Sequence, residues 1–120
     1  MGVAGAQNDL GSFYNTGTCV DQDYSQARLW FEMAAKQHNP MALYNLALLY
    51  DSGLGGLIRD SKEATRLLEK SANLGCYQAQ MLLAEGYRKG LGGLPVNTTK
   101  AKYWEQKAAE NKNRGAMIAQ

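Results

Sequence analysis

One histidine and two cysteines in 120 residues leave little material for most kinds of site chemistry. A Ser-His-Asp or Cys-His nucleophile would have to be built around His38, with Cys76 or a serine brought to it, and no third orienting group is evident. Cys19, His38 and Cys76 are too far apart in the chain to form any zinc-ligand motif. An excess of one charge is also missing. Thirteen basic and 11 acidic residues, well interspersed, give a net charge of +2 and no footprint for nucleic acid or an anionic membrane. No apolar run approaches the roughly 18 residues of a membrane span, so membrane insertion is not expected. Residues 1–6 lack the charged and apolar regions of a secretory signal. Nowhere does the chain show the period-two alternation of a strand bounded by turns, which leaves an all-α reading. The hydrophobic fraction of 45% excludes disorder and suits one modest domain. No enzyme activity, cofactor or metal is expected.

The informative presence is a recurrence. Ala6, Leu10, Gly11, Tyr14 and Gly17 are matched by Ala42, Leu46, Ala47, Tyr50 and Gly53, and again by Ala79, Leu83, Ala84, Tyr87 and Gly90. The copies are offset by 36 and then 37 residues, a period that means stacked helical hairpins. Within each copy the steps of four, one and three place the alanine, leucine, small residue and tyrosine on one helix face, read here as the packing face. The following glycine ends this helix A in the left-handed conformation that glycine adopts cheaply.

Helix B starts in each copy at a capping side chain, Asp23, Asp60 or Asn97. Residues 60–63, Asp-Ser-Lys-Glu, are similar to a reciprocal capping box. Ala27, Trp30, Phe31 and Ala34, then Ala64, Leu67 and Leu68, then Ala101, Trp104 and Ala108 recur at helical spacing and are assigned to the core. The expected architecture is a solenoid of about three antiparallel hairpins at 4–39, 40–76 and 77–113, with six principal helices, helix B slightly longer than a 12-residue helix A. Residues 2–6 read as a turn following an earlier hairpin, and 115–118 as the start of a fourth copy. The chain is therefore expected to be an excerpt of a longer array. His38 and Lys112 occupy the turn position held by Gly75, where a left-handed backbone would cost a non-glycine residue on the order of 1 kcal/mol.

The string from Gly17 through Asp23, Ala27 and Trp30 to Ala34 and Ala35 resembles the Sel-one-like repeat, a relative of the tetratricopeptide repeats. The likeness recurs through Gly53, Asp60 and Ala64 and through Gly90, Asn97, Lys100, Ala101 and Trp104, and covers essentially the whole chain. Departures are local: Cys19 replaces a loop glycine, the later loops are one residue longer, Leu67 replaces the tryptophan, and Glu105 replaces Phe31 or Leu68, which should leave the back of the third helix B more solvated. The resemblance implies a right-handed α-α superhelix with A helices lining a concave groove, and adaptor or scaffold work without catalysis.

Residues of the A helices not needed for packing are then the candidate site. From the first repeat these are Asn8, Asp9, Ser12 and Asn15. The second supplies Met41, Tyr44, Asn45, Leu48 and Asp51. The third supplies Gln78, Met81, Leu82, Glu85, Arg88 and Lys89. The gradient runs from polar, through an apolar anchor patch at Tyr44, Leu48 and Met81, to a basic pair, and suits a protein or peptide partner with an apolar anchor and nearby acidic groups. The carboxylate clamp of some tetratricopeptide domains is not present, since Asn8, Ser12 and Asn45 stand where basic residues would be needed. The glycine loops at 53–56 and 90–93 neither follow a strand nor precede a lysine-serine pair, so they are turns and not phosphate cradles. Alternatives are a glycan-binding module of a bacterial envelope protein, for which Tyr44 is the available groove aromatic, and self-association through the terminal hairpin at 115–120. Cys19 and Cys76 lie at opposite edges of a hairpin array, beyond the roughly 7 Å Cα reach of a disulfide. Two free thiols mildly favour a reducing compartment.

Overall fold

The computed structural model describes the backbone of residues 3–119 and the side chains of residues 3–112. All regular structure in that range is helical: α1 (Val3–Thr16), α2 (Tyr24–Lys36), α3 (Pro40–Ser52), α4 (Ser61–Asn73), α5 (Tyr77–Lys89) and α6 (Thr98–Ala119). Each helix packs on its neighbours in the chain, so α1, α3 and α5 are the A helices and α2, α4 and α6 the B helices of a solenoid. The result is a slab of 41 × 39 × 22 Å, two helix layers thick.

One local device recurs in every repeat and explains why the sequence period is so strict. Helix A stops on a left-handed glycine, Gly53 (φ 68°) or Gly90 (φ 73°), whose N–H returns to the carbonyl of Leu49 or Gly86. The chain then turns back until the capping residue donates its own N–H to the carbonyl of the repeat tyrosine: Asp23 to Tyr14 at 2.9 Å, Asp60 to Tyr50 at 2.9 Å, Asn97 to Tyr87 at 2.8 Å. Meanwhile the cap side chains accept from the first turn of helix B, Asp23 from Ser25 and Gln26, Asp60 from Lys62 and Glu63, Asn97 from Lys100. Tyrosine and cap are thus tied as a pair. This clasp displaces the reciprocal half of the capping box expected at 60–63. With the Asp60 N–H already given to Tyr50, Glu63 bonds Arg66 instead, at 2.8 and 2.6 Å.

The loops also seal the repeats together. A Cβ on Gly55 would lie 2.6 Å from the carbonyl oxygen of Tyr24, and one on Gly92 would lie 2.8 Å from the hydroxyl of Thr65, which donates to the Gly92 carbonyl. Each loop therefore rests on the start of the preceding repeat's B helix. Cys19 takes the same left-handed backbone (φ 66°) but no B helix precedes it among the described residues, and it is exposed.

The core is continuous along the stack. Ala27, Phe31, Leu43, Leu46, Ala47, Leu49, Ala64 and Leu67 form its largest cluster, Ala72, Cys76, Ala79 and Leu83 the next. Trp104 packs half-buried on the second. His38 does adopt the left-handed turn (φ 61°). Four expectations need correction. Residues 3–6 are helical, because Ala4 is buried with Ala34 and Ala42 and α1 starts there rather than after a turn. Helices α2 and α4 have 13 residues against 14 in α1 and 13 in α3, so helix B is not the longer member in the first two repeats, and only α6, at 22 residues, exceeds its helix A. At Lys112 there is no turn, since no glycine stands there to take cheaply the left-handed angle that Gly75 supplies one repeat earlier, and α6 runs through to Ala119. In the first repeat Ala6 and Leu10 are exposed, unlike the buried Ala42, Leu46, Ala79 and Leu83 at the matching positions.

Candidate functional site

The A-helix face of the second and third repeats carries two adjoining hollows. A broad shallow one is lined by Tyr44, Tyr77, Gln78, Met81, Leu82, Ala84, Glu85 and Arg88. A deeper cleft of about 160 Å³ lies between α3, α4 and α5 and the loop after α5, lined by Leu48, Asp51, Leu68, Leu82, Glu85, Gly86, Leu91 and Leu94 among others. Leu82 and Glu85 border both, so the two form one strip along α5. Leu48 and Met81 are exposed at 39% and 43%, large apolar side chains held on the surface.

Position explains why these side chains meet. Tyr44 and Met81 are the same repeat position on α3 and α5, as are Leu48 and Glu85, and Asp51 and Arg88, so stacking sets them side by side. The Tyr44 ring packs half-buried against the second cluster. Burial pushes its phenol above the ordinary value of 10.0, the Cys76 thiol adding to the rise, so it is a neutral hydroxyl at physiological pH. Met41 lies below it, its sulfur taking the Cys76 S–H at 3.8 Å, and is half-buried rather than presented to a partner.

The first repeat does not join the strip. Asn8, expected in the groove, is 9% exposed and accepts from the Asn45 amide at 3.1 Å, so this pair ties α1 to α3. Ser12 and Asn15 are half-buried on α1, where their backbone carbonyls accept from Thr16 and Gln22, and neither borders the cleft or the hollow. Asp9 and Gln78 are exposed, and Gln78 alone of the two lines the hollow.

The basic pair is also occupied. Arg88 is ion-paired with Glu105 of α6, and Lys89 with Glu85 at 3.4 Å. Glu105, read as merely solvating the back of α6, is the partner that takes Arg88. Acidic Asp51 forms no ion pair among the described residues. The strip is therefore less basic than the sequence suggested.

Sequence reasoning missed Tyr77, Gly86, Leu91 and Leu94. Gly86 was legible in principle, since it stands where Phe13 and Leu49 stand in the other copies. Leu91 and Leu94 align with Leu54 and Leu57 of the preceding loop. Tyr77 opens α5 where Pro40 opens α3, and only the stacking shows that it turns toward Tyr44. Among the described residues no cluster of His, Cys, Asp and Glu could hold a metal, and no helix is long and apolar enough to cross a membrane. The side chains at 115–120, the expected self-association element, lie outside the described residues.

Comparison with known proteins places this arrangement. The family model of the Sel1 repeat matches residues 4–39, 40–76 and 78–113. The chain is 44% identical over 59 residues to the ERAD-associated E3 ubiquitin-protein ligase component HRD3B of Arabidopsis thaliana, covering 48% of this chain and 10% of that protein. The crystal structure of a Sel1 repeat protein from Oxalobacter formigenes superposes with a TM-score of 0.85 at 30% identity, over 90% of this chain and 43% of that one. A protective antigen of uropathogenic Escherichia coli with an SLR fold superposes with a TM-score of 0.80 at 33% identity, over 89% of this chain and 22% of that one.

Proposed function

The chain belongs to the Sel1 repeat family, and from that premise we propose that it is a non-enzymatic scaffold that holds a protein partner, as a peptide or a helix, on the strip between α3 and α5. A solenoid whose repeats touch only their neighbours leaves one long face free, and such faces are built for binding. The observation that carries the reading is the strip itself: Tyr44, Leu48 and Met81 keep apolar surface in solvent although the same stack buries Leu46, Leu49 and Leu83. An aromatic and two flexible aliphatic anchors at adjoining repeat positions suit a helix laid in a groove. The Arabidopsis relative, a component of a ubiquitin ligase, supports a role inside a protein assembly.

Replacing Tyr44 and Leu48 together by alanine is expected to abolish capture of the partner while the helical fold is kept, with a lowered melting temperature because the Tyr44 ring packs half-buried on the second cluster. Unaltered capture in affinity purification from the native source would refute the groove. A second reading, a glycan-binding module, draws on Tyr44 and Tyr77 lining one hollow with Gln78 and Glu85, since two aromatic rings beside polar side chains can hold a sugar ring. Titration with muropeptide fragments separates the two, because quenching of tyrosine fluorescence is expected only if the glycan reading holds.

A further inference from the structure

The same chain contains both a filled and an unfilled version of the cleft. In the register of the repeats Phe31 corresponds to Leu68 and Leu49 to Gly86. At the first junction the Phe31 ring lies directly on Gly11, 1% exposed, with Leu49 buried in the same cluster. At the second junction the leucine is smaller than the phenyl ring and Gly86 contributes no side chain, so the space stays open at about 160 Å³. An apolar cavity of roughly 150 Å³ is enough to admit benzene. The filled copy thus shows the shape of the missing occupant, an aromatic or branched aliphatic group.

The rim shows its charge. Asp51 and Glu85 border the cleft, where the first junction has Asn15 and Leu48. Glu85 shares its charge with an exposed Lys89, and Asp51 has no ion-pair partner among the described residues. Carboxylates beside a partly desolvated apolar floor favour a cation more strongly than they would in water.

We infer that this cleft is the anchor pocket for a phenylalanine- or leucine-like side chain of a partner peptide that carries lysine or arginine next to it. The inference rests on the groove reading above and adds the partner's chemistry: basic, not acidic. The floor takes the apolar side chain, the loop at Leu91 and Leu94 closes over it, and the rim carboxylates hold the neighbouring cation.

The test is a titration of methyl-labelled protein with an acetylated, amidated Lys-Lys-Phe-Lys-Lys peptide, followed by NMR. Glu-Glu-Phe-Glu-Glu and Lys-Lys-Ala-Lys-Lys peptides serve as controls. The basic phenylalanine peptide is expected to shift the methyls of Leu48, Leu68, Leu82 and Leu94. Losing the phenyl ring from the peptide, or filling the cleft by Gly86→Leu, should weaken binding about tenfold, the value of one buried side chain. Asp51→Asn, a surface change that leaves the fold intact, should weaken it about threefold. Absence of binding, an acidic peptide that binds as well as the basic one, shifts confined to the Met81 methyl, or affinity unchanged in both variants would each overturn the inference. Those outcomes leave the groove reading standing if alanine at 44 and 48 still abolishes partner capture. Conversely, peptide binding in the cleft with partner capture unaffected by Tyr44→Ala and Met81→Ala, which lie outside the cleft, removes the groove reading and keeps the pocket.

Discussion

Between the A helices and the following loop, the interior of the junction between the first and second repeats is filled, whereas that of the junction between the second and third is an apolar cleft with an acidic rim, although the same clasp and the same alanines build both. In the first, Asn8 and Asn45 bond across α1 and α3, and Phe31, seated on Gly11 of its own hairpin, fills the interior beside Leu43, Leu46 and Leu49 of the second repeat. In the second, Tyr44 and Leu82 stand where Asn8 and Asn45 stand, Leu68 stands for Phe31, and Gly86 for Leu49, leaving the cleft. The lesson is that the repeated residues set spacing and turns, and two or three unrepeated ones decide whether a junction is sealed or receptive.

That contrast can be broken most strongly at Phe31. Phe31→Ala should lower stability by about 3–5 kcal/mol in urea denaturation, the usual consequence of emptying a packed aromatic site. Gly11→Ala comes next. Its new methyl would lie 2.5 Å from the Phe31 ring, so a loss of about 1–3 kcal/mol is expected. Adding Phe31→Leu to Gly11→Ala recreates the Ala47 and Leu68 pair of the second junction, and should recover part of that loss, a coupling that a double-mutant cycle measures. Gly86→Leu should act in the opposite direction and raise stability by about 1 kcal/mol, from better helix propensity and a filled cleft. The only obstacle is the end of the Leu94 side chain, 3.0 Å from the new Cβ, which can move.

Asn8→Ala should cost about 1 kcal/mol by stranding Asn45, with the thermal midpoint as readout. The smallest effect belongs to Glu63, whose equivalents Gln26 and Lys100 make no such pair. The hydrogen bond from Arg66 holds its carboxyl below the ordinary value of 4.5. A lowered folded value means that the contribution is complete above pH 4.5 and fades as pH falls through the folded value. Both side chains are partly exposed, so Glu63→Gln should remove only about 0.3–0.5 kcal/mol at pH 7 and nothing at low pH, as seen in denaturation at several pH values.

Much of the frame was legible in the sequence because single side chains carry it. Asp23, Asp60 and Asn97 cap through their own oxygens, and Gly53 and Gly90 take a backbone angle that penalises other residues, so each could be read without knowing the stack. Burial was harder. Spacings of three and four mark a helix face but not whether another helix covers it, which is why Leu10 is exposed while Leu46 and Leu83 are buried. Asn8 was assigned outward for the same reason, a polar residue whose partner lies 37 residues away. The Arg88 to Glu105 pair crosses from α5 to α6 and has no local signature. The cleft depends on an absence at Gly86, and only comparison of that position with Phe13 and Leu49 points to it.

The most direct test of a partner held between α3 and α5 is photo-crosslinking from two tyrosine positions. A benzoylphenylalanine placed at Tyr44, on the A-helix strip, is compared with one at Tyr103, 52% exposed on α6 of the other layer. Protein adducts are expected from position 44 and not from position 103 when crosslinked in the native source and identified by mass spectrometry. Adducts from position 103 with none from position 44 would contradict the strip as the binding face.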